Sequence, residues 1–277
     1  MYTLNPQPDQ SVSYWKKKEA AGPLVMLCLF LFLQVGGQLL AQAPIKLHPD
    51  NTRYLQYKGE PILLITSAEH YGGVLNLDFD YESYLNTLHA EGMNYTRLFT
   101  GSYVEVPGSF GIGNNTLAPA VGRFIAPWQR VEEAGEFEGE GKFDLDSWNP
   151  AYFERFHSFM KLAESLGIVV EVTFFSSNYQ DTNWERNPFN DANNINGLPK
   201  GLDRKKANTP DNGNLLAYQK KMVAKIVEEL NPYSNLIYEL QNEPWADNGE
   251  KIYRVVRTID PDQGGWYKWA DEANAAS

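Results

Sequence analysis

The chain is poor in the residues that build covalent or metal-held frameworks. It has one cysteine in 277 residues, so it forms no internal disulfide framework, and a cysteine-based zinc site is excluded. Its four histidines are scattered, with no HxH or HExxH spacing, which argues against a dedicated metal site; no cofactor is expected. Basic residues are also short: 24 Lys and Arg against 35 Asp and Glu give a formal net charge of −11. A nucleic-acid or anionic-membrane partner needs a basic surface, so both lose ground. No GxGxxG or GxxxxGK[ST] follows a candidate strand, which weighs against a nucleotide fold. Gly111-Ile112-Gly113 lacks the third glycine and sits in a long loop, where it reads as flexible backbone.

What is present is a globular composition, 43% apolar and 13% aromatic, with too much charge (21%) for a polytopic membrane protein. The first segment reads as an address. Lys16, Lys17 and Lys18 precede an apolar run from Leu24 to Leu33, then Gly36-Gly37 and Ala41-Gln42-Ala43. A cationic start, a short apolar centre and an A-x-A site make residues 1–43 a secretory signal peptide, leaving 44–277 as an exported chain without cysteine. The apolar run falls well short of the roughly 20 residues of a spanning helix. An uncleaved anchor is the competing reading, and Pro44 sits awkwardly after the cut. Cys28 lacks the small residues before it that lipid attachment would need.

From there the pattern alternates strand and helix. Lys58-Gly59-Glu60 between Arg53–Tyr57 and Pro61–Ile65 predicts a tight hairpin, and the wholly apolar second run reads as a strand buried on both faces. Asp80 caps a helix that ends at Gly92. Asn94–Phe99 is the next strand. Asn149-Pro150 starts a helix with Tyr152, Phe153, Phe156, Phe159, Met160 and Ala163 at helical spacing, closed by Gly167. Ile168–Phe174 follows as a strand, Leu215–Leu230 as a helix with Met222, Val223, Ile226, Val227 and Leu230 inward, and Leu236–Leu240 as a fourth strand. This order implies an α/β fold with a parallel sheet. Helix-to-strand connections are terse, whereas 100–148 and 176–214 are long. The insertions therefore gather at the carboxyl ends of the strands, where barrels and open α/β sheets both place their sites.

The fourth strand runs into Asn242-Glu243-Pro244-Trp245. A glutamic acid at a strand's carboxyl end, partly buried, can act as a proton donor. The preceding Asn242 offers an amide to a substrate hydroxyl. Here the chain resembles glycoside hydrolase clan A, and most closely its cellulase-like family-five relatives. The resemblance rests on Asn242-Glu243-Pro244, on Arg97 in Asn94-Tyr95-Thr96-Arg97, and on the element order from Leu47 to Trp245.

That resemblance implies a (β/α)₈ TIM barrel of which about the first four βα units are present, as the amino-terminal portion of a catalytic domain. It implies retaining hydrolysis of O-glycosidic bonds in a poly- or oligosaccharide, with Glu243 as acid/base and Arg97 tuning the charge. There are departures from the pattern. No histidine follows the third strand, where Phe175-Ser176-Ser177-Asn178-Tyr179 stands, and the family's nucleophile at the seventh strand has no counterpart. Either the chain is cut short or a carboxylate within it serves, Glu69 and Glu171 being the candidates; Glu171 reads equally as an ion-pair partner of Arg97. Glu239 faces either the helices or the lumen. A non-catalytic carbohydrate-binding protein on the same scaffold is the alternative. An unrelated hydrolase has no GxSxG elbow to support it.

Substrate-binding candidates are Glu69, His70 and Tyr71 after the first strand, and the loop aromatics Tyr179, Trp184 and Trp245, with Tyr103, Trp128 and Phe189 as further rings. His89 and His157 read as surface or packing residues. The acidic run Glu132, Glu133, Glu136, Glu138 and Glu140 reads as a solvated loop that would repel polyanionic glycans.

Overall fold

The computed structural model describes residues 43–67, 69–134, 140–244 and 246–247. The proposed leader, with Cys28, lies outside the described residues apart from Ala43. So do Glu136, Glu138 and Trp245.

An antiparallel sheet comes first, built from β1 (Lys46–Leu47), β2 (Leu55–Tyr57) and β3 (Glu60–Ile62). Tyr57 pairs with Glu60, so the turn is the two residues Lys58 and Gly59, both at positive φ (53° and 87°). That conformation matches the twist of a two-residue hairpin.

A parallel sheet in the order β4-β7-β8 carries the rest. Its strands are β4 (Tyr95–Phe99), β7 (Val169–Ser176) and β8 (Leu236–Asn242). Helix α1 (Tyr81–Ala90) precedes β4, α2 (Pro150–Ser165) leads into β7, and α4 (Leu215–Leu230) leads into β8. The expected caps form: Asp80 accepts from the Ser83 N–H and Asn149 from the Ala151 N–H, with Pro150 in the first turn of α2. Gly92 and Gly167, at φ 74° and 72°, turn the chain out of the helices straight into strands.

One face of this sheet makes the core. Leu98, Val170 and Val172 pack with Leu85 and Leu88 of α1, Phe156, Phe159 and Met160 of α2, and Met222, Ile226 and Leu230 of α4. All are essentially buried, and each such side chain contributes about 1.5–3 kcal/mol relative to exposure. The other face carries polar groups, described below.

Two expectations need correction. Residues 61–65 are not a strand buried on both faces. Leu63 is 64% and Ile65 53% exposed. The chain from Leu63 to Tyr71 runs past β4 with isolated bonds, from the Asn94 N–H to the Ile65 carbonyl (3.0 Å) and from the Phe99 N–H to the Tyr71 carbonyl (2.8 Å). The Asn94 side chain occupies both the Leu63 carbonyl and the Ile65 N–H at 2.8 Å, in place of ladder bonds. Accordingly, the described residues form an open parallel sheet of three strands beside two small antiparallel sheets, and no closed barrel.

Nor are the long connections featureless. Within 100–148 a hairpin forms from β5 (Trp128–Ala134) and β6 (Gly141–Trp148). The acidic residues there are partly paired, Glu133 with Lys142 (2.7 Å) and Glu140 with Arg130 (3.0 Å). Within 176–214 lie the short helix α3 (Asp181–Glu185) and a set of asparagines whose amides bond backbone: Asn187 to Ser102, Asn193 to Glu185 and Asn187, Asn194 to Pro188 and Asn190. Arg155 of α2 clamps the turn before α1 by donating to the carbonyls of Gly73, Val74, Asn76 and Phe79.

Candidate active site

Register brings charge to the polar face of the parallel sheet. Arg97 of β4 lies level with Glu171 of β7, and Thr173 of β7 level with Glu239 of β8. The Arg97 guanidinium therefore reaches across two strands. Its Nε donates to Glu239 Oε2 (3.0 Å) and to Thr173 Oγ1 (3.1 Å), and its Nη2 to Glu239 as well. Thr173 donates to the same Glu239 oxygen at 2.6 Å. Glu171 approaches Arg97 at 3.5 Å and accepts from the Tyr95 hydroxyl at 2.7 Å. The ion-pair reading of Glu171 thus describes its position, and Glu239 lies on the Arg97 face, opposite Val170 and Val172.

Burial works against the charge on Arg97, but its hydrogen bond and attraction to Glu239, with Tyr71 and Glu171 behind, outweigh that and raise its pKa overall. It stays a fixed cation. Tyr71 stacks on Phe99 at 4.6 Å, lies 5.4 Å from the guanidinium and donates to Glu69 at 2.6 Å. Burial first, then the Glu69 carboxylate, push the Tyr71 hydroxyl up to about 12.

From Arg97 a directed chain of bonds runs to the strand end. Arg97 Nη2 donates to Asn242 Oδ1 (2.9 Å), Asn242 Nδ2 to the Tyr179 hydroxyl (2.8 Å), and that hydroxyl to Glu243 Oε2 (2.6 Å). Asn242 and Tyr179 each accept on one side and donate on the other, so the cation fixes which way the amide points. Ser176 Oγ accepts from the same amide nitrogen at 3.3 Å. Burial, then the bond to Glu243, raise the Tyr179 pKa, which keeps its proton on the donor.

Glu243 itself has φ 49°, a left-handed conformation rare for a non-glycine residue and rarer before proline. Ser177 holds it there: its hydroxyl donates to the Glu243 carbonyl (2.6 Å) and its N–H to that of Asn242 (3.2 Å). Strained backbone of this kind persists where the surroundings over-determine it, and such positions cluster at functional sites. Contrary to the expectation of partial burial, Glu243 is exposed. Among the described residues its carboxyl is held by the Tyr179 phenol.

The remaining candidates divide. Glu69, Tyr71, Arg97, Asn242, Glu243 and Tyr179 are joined by these contacts. His70 packs between Phe79 and Tyr84, each 4.8 Å away by ring centroid, and burial lowers its pKa. It lines a separate hollow of about 460 Å³ with Asn76, Asp78 and Asn115. Trp184 is buried and spends its indole N–H on the Leu202 carbonyl (3.0 Å), so it has no open ring face. Tyr103, Trp128 and Phe189 are buried likewise, pinning loops to the sheet. His157 bonds Glu229 and Tyr233 on the helical side, and His89 the Leu166 carbonyl. Sequence pattern does not point to Thr173 and Ser176, which only register places beside Arg97 and Asn242, nor strongly to Phe110. The last carries a faint signal, an aromatic set among glycines in Gly108-Ser109-Phe110-Gly111. Among the described residues no group of three or more His, Cys, Asp or Glu is arranged to hold a metal ion.

No family model and no curated protein matches the chain. Solved structures similar to it include a β-mannanase from the blue mussel Mytilus edulis, 14% identical, covering 73% of this chain and 46% of that one at a TM-score of 0.42. A glycoside hydrolase family 5 protein from Bacteroides vulgatus is 14% identical over 81% of this chain and 40% of that one, at 0.39. A family 5 mannosidase from Rhizomucor miehei is 14% identical over 80% and 54%, at 0.40. The chain thus spans roughly half the length, or less, of these proteins.

Proposed function

We propose that this protein hydrolyses O-glycosidic bonds of a carbohydrate, with Glu243 as the proton donor. The observation that carries the proposal is the directed chain Arg97–Asn242–Tyr179–Glu243 ending in an exposed carboxyl on strained backbone. It supports a reacting group better than a structural one, because a solvated surface glutamate gains nothing from being held in a left-handed turn.

In this reading the Glu243 carboxyl gives its proton to the glycosidic oxygen as the bond to the anomeric carbon breaks, and the leaving sugar departs as an alcohol. Water then adds its oxygen to the anomeric carbon and its proton returns to Glu243. Asn242, oriented by Arg97 and with its two amide hydrogens committed to Tyr179 and Ser176, accepts from a substrate hydroxyl through the second lone pair of Oδ1.

Retention is the finer part of the proposal, and it needs a second carboxylate about 5–5.5 Å from the first. Glu171 pairs with Ile237, six residues before Glu243, which puts it about 20 Å back along the strand direction. Glu239 is four residues back, about 13 Å along the backbone, and its carboxylate is engaged by Arg97 and Thr173. With both carboxylates committed to Arg97, the nucleophile in this reading is Glu69 or lies outside the described residues. Export by residues 1–43, and a barrel completed around this sheet, belong to the same proposal and are supported by the sequence pattern alone.

The test is Glu243→Gln in the full-length chain, assayed on natural glycans and on aryl glycosides with good leaving groups. Loss on natural glycan with partial retention on the activated substrate is expected, since a good leaving group needs less protonation. Unchanged hydrolysis of natural glycan overturns the assignment. Glycan binding without hydrolysis by the unsubstituted protein would favour the non-catalytic alternative.

A further inference from the structure

Phe110 sits where a side chain of its kind is least expected. Its backbone has φ 54° and ψ 18°, the left-handed region that a bulky residue occupies only under strain. Two glycines in the same turn, Gly108 and Gly111, also adopt positive φ (84° and 72°), at no steric cost. A third glycine at position 110 would relieve the turn. The ring is not recovering that strain through burial, because Phe110 is 56% exposed.

The turn is nonetheless closed by backbone bonds: the Ser109 N–H to Val106 (3.0 Å), Gly111 to Gly108 (3.1 Å) and Ile112 to Ser109 (3.1 Å). It presents the ring to one place. Phe110 meets Tyr179 at 5.5 Å between centroids with the planes at 88°. Tyr179 is braced from another direction by buried Tyr103 at 6.2 Å and 86°. Its hydroxyl is the group bonded to Glu243. An exposed aromatic ring, held by a strained turn, therefore stands one side chain away from the candidate proton donor.

We infer that Phe110 is a substrate platform, on which the C–H face of a neutral pyranose ring stacks in a subsite next to the bond that Glu243 cleaves. The inference rests on the glycosidic reading above and adds a ligand class to it. A flat apolar ring with a polar neighbour suits a pyranose whose hydroxyls are equatorial, because its axial C–H bonds then cover the ring faces and its polar groups lie at the rim. The chain's net charge of −11 disfavours a polyanionic one.

The test uses the full-length protein in a Glu243→Gln background, so that ligand is not consumed. Cellohexaose, mannohexaose and xylohexaose are titrated calorimetrically, with an oligogalacturonate as the charged comparison. Phe110→Ala and Phe110→Gly should weaken the best neutral hexasaccharide by about tenfold, and Phe110→Trp should retain it. Phe110→Gly should also raise the melting temperature, because it releases the strained turn while removing the platform. Equal affinity across all four versions overturns the platform. Hydrolysis lost by Glu243→Gln, together with equal affinities, would leave Glu243 standing and remove Phe110 alone. Absence of both hydrolysis by the unsubstituted chain and binding of every hexasaccharide overturns the two together.

Discussion

Arg97 ties Glu239 to Asn242, three residues apart on one strand, by donating Nε to the carboxylate at 3.0 Å and Nη2 to the amide oxygen at 2.9 Å. One planar cation thus serves as a partner for an otherwise uncompensated acid and as the switch that sets an amide's direction. A lysine carries the charge but not the fork.

Replacing Arg97 should therefore cost both stability and activity. Arg97→Met leaves Glu239 and Glu171 facing each other without a cation, and a loss of about 3 kcal/mol in urea unfolding is expected. Arg97→Lys should recover much of that stability, yet leave glycoside hydrolysis impaired, because the Asn242 amide loses its fixed orientation. Equal activity of the lysine variant and the parent would contradict this.

Tyr179→Phe removes the hydroxyl from between Asn242 and Glu243 and leaves the ring packed against Tyr103 and Phe110. Stability should change little. Hydrolysis of natural glycans should fall by roughly 10–100-fold, the range that small misplacements of a catalytic group produce. Steady-state kinetics beside a melting curve checks both halves of the expectation.

Acid should weaken the helical side as Glu229 is protonated. Hydrogen bonds from Lys225 and then His157 hold the Glu229 carboxyl below its ordinary value. A carboxylate with a lowered folded pKa contributes stability that is complete above its unfolded pKa and is lost as pH falls through the folded one. Glu229→Gln should thus be less stable than the parent at pH 6 and approach it at pH 3, as read from urea midpoints. A gap that widens on acidification would be the wrong sign.

Gly72 has no room for a side chain. A Cβ there would lie 2.0 Å from the Thr116 carbonyl oxygen, a backbone atom that cannot swing aside, while the Gly72 N–H bonds the Thr116 hydroxyl at 3.1 Å. Gly72→Ala should destabilise by about 1–3 kcal/mol and loosen the 100–124 connection from the turn that carries Glu69 and Tyr71. Hydrogen exchange across residues 100–124 would locate the effect.

Much of the frame was legible from residues alone. Asn149-Pro150 and Asp80 announce helix starts because a cap and a fixed φ are local chemistry, and α4 matches its periodic stripe from Leu215 to Leu230. Strands β4, β7 and β8 were bracketed by those helices. What failed depended on distant partners. The apolar run at 61–65 could not disclose that the Asn94 side chain would take its polar groups. The β5–β6 hairpin was hidden by its charge, since Arg130 and Lys142 find their acids only once the strands are paired.

In the site, Asn242, Glu243, Arg97 and Tyr179 were nameable from motif and position. The face chosen by Glu239 was not, because alternation gives two equal answers until the register with Thr173 is known. The aromatics of the long connections misled for a related reason: Trp128 and Trp184 stand out in sequence and Phe110 does not, and only packing separates buried anchors from an exposed ring.

The asparagines that secure the 176–214 connection make its endurance a matter of chemistry as well as mechanics. Asn196 precedes a glycine, accepts from the Leu145 N–H at 2.8 Å, and points its amide nitrogen at Asp146 (3.1 Å) and Asp144 (3.4 Å). Slow loss of ammonia from that amide would plant a new negative charge beside Asp144 and Asp146, where Lys221 pairs with Asp146 at 2.6 Å. Ageing of a stored sample would then begin as a mutual rejection among neighbours that had been cooperating, with the overlying segment peeling from β6 while the buried helices keep their order.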